Sequence, residues 1–146
     1  MSGQKRAFYL PFLFVIFLTI ISSCSTSGKL YNIQEMNQLH GSVLQKVAFS
    51  RSHFQTFLAK TNNVLMFAFK DDKLFIADDR KKIIYPDSAR ILPADTLKVF
   101  GISNIEDLLN RGLEDSVYVE KRSNTISITY GNSTLEQPDL CPPICP

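Results

Sequence analysis

"SVYVEKRSNTISITYG", residues 116–131, is the stretch that decides the fold class. Val117 and Val119 alternate with other residues, and Ile126, Ile128 and Tyr130 do the same after a polar break. Side chains along a strand point to opposite faces with a period of two, so each run lays its apolar set on one face. The intervening "RSN" carries turn-forming residues. The stretch therefore predicts an antiparallel hairpin with one buried face.

Just upstream, "SNIEDLLNRG" (103–112) predicts a helix. Ile105, Leu108 and Leu109 recur at helical spacing, Ser103 and Glu106 have the spacing of a capping box, and Gly112 is placed to act as a left-handed C-cap. "TLKVF" (96–100) before it is a strand, so this part of the chain predicts a β-α-β-β unit. Further upstream, "VLMFAFKDDKLFIADD" (64–79) predicts a second hairpin turning at Lys70-Asp71-Asp72-Lys73. Both faces of its strands are apolar, which places them centrally or under cover on both sides. "KIIYP" (82–86) is a third strand, followed by the loop "PDSARILP" (86–93). "SHFQTFLAKTNN" (52–63) predicts a helix with a Ser52/Gln55 capping box, a buried face of Phe54, Phe57 and Leu58, and a stop at Asn62-Asn63. "SVLQKVAFSR" (42–51) fits either a strand or the opening turns of that helix.

The sum is an α+β domain over residues 42–130, with one or two helices packed on a mostly antiparallel sheet. Residues 131–146 read as an irregular tail, and residues 24–41 as a tether in which Leu30, Tyr31, Ile33 and Leu39 are available to pack.

The chain has 146 residues, with 45% hydrophobic and 21% charged, the composition of an ordinary globular protein. Its formal charge of +2 does not mark a basic surface. Of the 16 basic residues, Lys5 and Arg6 fall in the first 23; without them 14 remain, equal to the 14 acids. Nucleic acid is therefore not an expected partner.

The chain begins "MSGQKRAFYLPFLFVIFLTIISSC". Lys5 and Arg6 form a positive n-region, and residues 7–21 carry no charge. That run is shorter than the roughly 20 residues a membrane-spanning helix needs, and it matches the h-region of a secretory signal peptide. Its ending, Ile21-Ser22-Ser23-Cys24, resembles the lipobox of bacterial lipoproteins: an aliphatic residue, two small residues and the cysteine. The resemblance covers residues 1–24 only. It implies cleavage between Ser23 and Cys24, a diacylglycerol on the Cys24 thiol and acylation of the freed amine. It also implies a bilayer partner through Cys24. Ser25 follows, where an Asp would favour inner-membrane retention, so the implied location is the outer membrane, facing the periplasm. The plainer alternatives are an ordinary cleaved signal peptide, which makes a secreted protein without lipid, and an uncleaved anchor.

With Cys24 assigned to lipid, Cys141 and Cys145 remain as an even pair in "CPPICP". In an oxidising compartment they are expected to form a disulfide, and the small loop limits its stabilisation to about 2 kcal/mol. A thioredoxin-type redox motif has two intervening residues rather than three, and a zinc site lacks its second half.

Candidates for chemistry are few. His40 lies in the expected tether and His53 in the first turn of a helix, where surface or capping roles account for them. Asp71-Asp72 and Asp78-Asp79 sit at opposite ends of a predicted strand, about 20 Å apart, too far to share a calcium ion, and read as solvated turn acids. Arg80, Lys81 and Lys82 form a short basic run, which fits a face for anionic lipid headgroups or a partner and equally a solvated loop, the commoner fate of such a run. No glycine-rich phosphate loop is present, so no cofactor is expected. Asp87-Ser88-Ala89, Asp95-Thr96-Leu97 and Asp115-Ser116-Val117 look like D-[S/T]-aliphatic O-glycosylation sites of some Gram-negative bacteria, with Ser88, Thr96 and Ser116 as acceptors. Asn132-Ser133-Thr134 is an N-glycosylation sequon, relevant only in a eukaryotic chain. The expectation is a non-catalytic, periplasm-facing envelope lipoprotein, a binding or structural module whose partner is another envelope protein or a glycan. The alternative is a small tethered hydrolase whose carboxylates are brought together only by the fold.

Overall fold

The hairpin at 116–131 forms as its alternation predicts. Strands Ser116–Lys121 and Ile126–Tyr130 pair antiparallel, with Val119 opposite Ile128 and Val117 opposite Tyr130. The computed structural model describes residues 28–90 and 97–136. In chain order the elements are β1 (Lys29–Asn32), α1 (Ile33–His40), β2 (Gln45–Ser50), α2 (Arg51–Leu58), β3 (Val64–Lys70), β4 (Lys73–Ala77), β5 (Ile83–Tyr85), β6 (Lys98–Gly101), α3 (Ile102–Leu109), β7 (Ser116–Lys121), β8 (Ile126–Tyr130) and β9 (Ser133–Glu136). The strands make two sheets, ordered β1-β9-β8-β7-β2 and β5-β4-β3-β6, with every pairing antiparallel. The class is α+β on antiparallel sheet, as expected.

One apolar core unites the two sheets. Val117, Ile128 and Leu135 of the first sheet join Leu65, Phe67 and Ile76 of the second, with Phe54, Phe57, Ile105 and Leu108 from α2 and α3. Aromatic edges lock the seams. Phe67 meets Phe100 at 5.4 Å and 89°, and Phe49 on β2 meets Tyr85 on β5 at 5.2 Å and 85°. The doubly apolar β3 and β4 are the two central strands of their sheet, which accounts for their composition. Their turn has Asp71 at φ 49° and Asp72 at φ 59°, the paired left-handed geometry of a two-residue hairpin loop.

Register sorts the molecule into two chemically different ends. Lys29, Glu136, Ser127, Glu120 and Lys46 lie in one row across the first sheet. The β3–β4 turn lies at the same end, because the Gln45 amide donates to the Asp72 carbonyl. At the other end, α2 follows Ser50 directly. There α3 follows Gly101, the partner of Val64, and the Ile102 N–H donates to Asn63 O at 2.9 Å. The β3–β4 and β7–β8 turns close the Lys29 end, and two helices with the β8–β9 turn close the Ser50 end.

Several sequence expectations are corrected. The domain is wider than 42–130. Within the expected tether, residues 29–32 form β1 and residues 33–40 form α1; within the expected tail, residues 133–136 form β9. The cause is mutual pairing: β1 and β9 match from Lys29–Glu136 to Asn32–Ser133, satisfying backbone groups that neither could satisfy alone. The ambiguous 42–51 contains strand β2, because its ladder with β7 runs to Ser50–Ser116. Ser50 therefore caps α2, accepting from His53 N at 3.2 Å, and the Ser52/Gln55 box does not form. Likewise α3 begins at Ile102 with no side-chain cap, so Ser103 and Glu106 lie inside it. It ends at Leu109 with Asn110 in right-handed conformation, and Gly112 is not a left-handed cap. The β-α-β-β order is real but divided: β6 belongs to one sheet, β7 and β8 to the other, and α3 carries the chain between them.

A chain trimmed to residues 28–136 is expected to unfold cooperatively in urea. Trimming to 42–130 removes β1, α1 and β9, uncovering the outer face of β8 and leaving one of its edges unpaired; its near-ultraviolet circular dichroism and its cooperative transition should be lost.

Candidate functional site

All five residues of β8 are buried, although the strand alternates apolar with polar. Its inner face, Ile126, Ile128 and Tyr130, enters the core. Its outer face, Ser127 and Thr129, is covered by α1, whose Met36 is fully buried. At the centre of this second layer is Arg122, 2% exposed. Its Nη2 donates to Glu120 Oε2 at 3.0 Å, and its Nη1 to Asn37 Oδ1 at 2.7 Å and the Gly41 carbonyl at 2.6 Å. Nε lies 3.4 Å from Ser127 Oγ. Glu120 Oε2 also accepts from Thr129 Oγ1 at 2.9 Å, and the Thr129 and Thr134 hydroxyls are 2.9 Å apart.

A buried charge is tolerated only when paired and hydrogen-bonded. Arg122 meets that condition by gathering partners from β7, β8, α1 and the residue after α1. Its position beside the C-terminal carbonyls of α1 also suits the negative end of that helix. Neighbouring contacts reinforce the clamp: Ser123 Oγ donates to His40 O at 3.2 Å, and His40 Nδ1 lies 3.0 Å from Asn124 Oδ1. Glu120 is therefore committed to Arg122 and Thr129, and the cluster is a fastening for α1.

At the Ser50 end, an open groove of about 470 Å³ runs between α2 and α3, lined by Arg51, Gln55, Leu58, Ala59, Glu106, Leu109 and Asn110. Arg51 is positioned by its backbone N–H, which donates to Asp115 O at 2.7 Å, and by Nη1, which donates to Tyr130 Oη at 3.1 Å. Its guanidinium lies over the Tyr130 ring at 5.5 Å, and the Tyr130 hydroxyl donates to Glu114 O at 2.7 Å. The groove is thus lined by a fixed cation, Arg51, a carboxylate, Glu106, the leucines Leu58 and Leu109, and the Gln55 and Asn110 amides. That mixture suits an amphipathic peptide segment rather than a reaction that needs a nucleophile and a base.

The sequence candidates are placed as follows. Ser23, Cys24, Thr96, Cys141 and Cys145 lie outside the described residues. Ser88 is exposed in a turn after Tyr85-Pro86, where Ala89 N donates to Pro86 O at 3.0 Å. Ser116 is half-buried as the first residue of β7, paired with Ser50. Thr134 of the sequon is fully buried. His40 fastens α1, and His53 packs against the rings of Phe49 and Phe57 at 5.6 and 4.9 Å. Asp71-Asp72 and Asp78-Asp79 do stand at opposite ends of β4. Asp78 is not a solvated acid, however. It is buried, and its Oδ1 accepts from Arg80 N at 2.9 Å and Lys82 N at 2.8 Å, shaping the basic loop. Arg80, Lys81 and Lys82 are exposed there. Among the described residues, no group of three or more His, Cys, Asp and Glu converges.

Sequence reasoning missed Arg122, which it placed in a turn, and the whole of α1. A signal for α1 was present: Asn32 and Glu35 have capping-box spacing and make that box, with Asn32 Oδ1 accepting from Glu35 N at 2.9 Å and Glu35 Oε2 from Asn32 N at 3.0 Å. The groove has no local signature, because its walls come from helices some fifty residues apart. Comparison with protein-family models, curated proteins and solved structures gave no match.

Replacing Arg122 by Met is expected to destabilise the fold by about 3–5 kcal/mol, because Glu120 is left buried and unpaired. Pairing it with Glu120→Gln should recover much of that loss. Urea unfolding of the two single variants and the double variant measures the coupling.

Proposed function

We propose that this chain is a membrane-anchored envelope lipoprotein that faces the periplasm and binds an envelope protein in the groove between α2 and α3, without catalysis of its own. The anchor is lipid on Cys24 after cleavage behind Ser23. Each buried methylene contributes roughly 0.8 kcal/mol, and one acyl chain binds only marginally; the two or three chains of a lipoprotein cysteine hold a protein at the bilayer.

The observation that carries this reading is one of placement. The fold begins at Lys29, five residues beyond Cys24, and it begins at the end of the sheets away from the groove. An anchor at Cys24 therefore leaves the groove facing outward, towards soluble or membrane-bound partners. The non-catalytic part of the proposal is supported by what the polar side chains do. Arg122, Glu120, Asp78 and Thr61 are each engaged in holding loops and helices. The same reading includes an oxidised Cys141–Cys145 pair and, of the three O-glycosylation candidates, favours the exposed Ser88.

Metabolic labelling with palmitate, followed by fractionation, tests the anchor. The native chain should carry label and sediment with outer membranes. Cys24→Ala should lose both while the soluble domain stays folded. Label or membrane association unchanged in Cys24→Ala would overturn the reading.

A further inference from the structure

Resting on lipidation of Cys24, we propose that the Lys29 end of the two sheets is a contact surface for anionic phospholipid headgroups. The first support is reach. Four residues lie between Cys24 and Lys29, and the five steps from one to the other span no more than about 18 Å even fully extended. The end of the fold that bears Lys29 is therefore held within that distance of the headgroup layer, close enough to touch it.

The second support is the composition of that end. Lys29, Lys70 and Lys73 are exposed and Lys121 half-buried, against Asp71 and Asp72; Glu136 in the same row is buried. Two large apolar side chains stand in solvent beside these lysines. Leu39, in the last turn of α1, is 57% exposed, and Leu44, before β2, is 64% exposed. They flank Gly41, whose carbonyl Arg122 grips, so they are presented on fixed backbone. Leucine beside lysine is the pairing that suits a membrane interface: the apolar side chain enters the headgroup–acyl boundary while the ammonium meets phosphate.

The far end supplies an internal control. Leu113 is 93% exposed but precedes β7 at the Ser50 end, away from the bilayer in this arrangement.

The chain has no tryptophan, so a single introduced indole reports its own surroundings. Leu44→Trp and Leu113→Trp are made in the full lipidated protein. Each is reconstituted into vesicles of phosphatidylethanolamine and phosphatidylglycerol with brominated acyl chains, and into vesicles of brominated phosphatidylcholine alone. Leu44→Trp should show blue-shifted emission and several-fold stronger quenching than Leu113→Trp. That difference should shrink without phosphatidylglycerol and in a Lys29→Glu/Lys121→Glu background. Equal quenching at the two positions, in protein that still floats with vesicles, overturns the contact surface and leaves the anchor standing. A blue shift at position 44 without quenching marks a protein neighbour there and also overturns it. Protein that lacks the lipid mass and fails to float overturns the anchor itself.

Discussion

A guanidinium cannot be left dry without partners, and this requirement at Arg122 organises half the molecule. Its donors are met by Glu120 on β7, Asn37 on α1 and the carbonyl of Gly41. Those groups lie far apart in sequence, so satisfying the charge brings α1 down over the outer face of the first sheet. The sheet is then enclosed on both sides at β8, with hydrocarbon within and hydrogen-bonded hydroxyls and carboxylate without. Such a layer fixes geometry more than it adds net stability, since desolvation offsets much of the attraction.

Once α1 is fastened, β1 must reach the far edge of the sheet, where it pairs with β9. That pairing puts the entry of the fold at Lys29 and its exit at Glu136 side by side. The two ends then differ in kind. One holds the β3–β4 and β7–β8 turns beside Lys29, Leu39 and Leu44, and the other holds two short helices with a groove between them. A domain with such polarity is suited to being held by one end and read by the other, which is the relation the proposed anchor and groove would have.

Much of the fold was legible along the chain. Alternation at Val117–Val119 and Ile126–Tyr130 named the strands of one hairpin, because one buried sheet face enforces a period of two; the continuous apolar runs at 64–69 and 74–77 named central strands covered on both faces. Phe54, Phe57, Ile105, Leu108 and Leu109 were legible as helix faces for the corresponding reason. Helix starts were less so. Ser103-x-x-Glu106 has the form of a cap but lies inside α3, and Ser52-x-x-Gln55 lost its role to Ser50 because the ladder with β7 ends at Ser50 and the chain enters the helix at the next residue.

The sequence by itself determined the antiparallel α+β character, the positions of most strands and the presence of a lipobox-like Cys24 after an apolar run. These depend on short-range periodicity and spacing, which a linear string carries in full. Only the tertiary structure decided that β6 and β7 belong to different sheets, that residues 29–40 and 133–136 are part of the domain, and that Arg122 is a buried clamp rather than a turn residue. Each of those depends on partners distant in sequence, such as Gly101 for Val64, Gly41 for Arg122 and Glu136 for Lys29. A contact of that separation leaves no periodic trace in either segment, and so becomes visible only when the chain has closed.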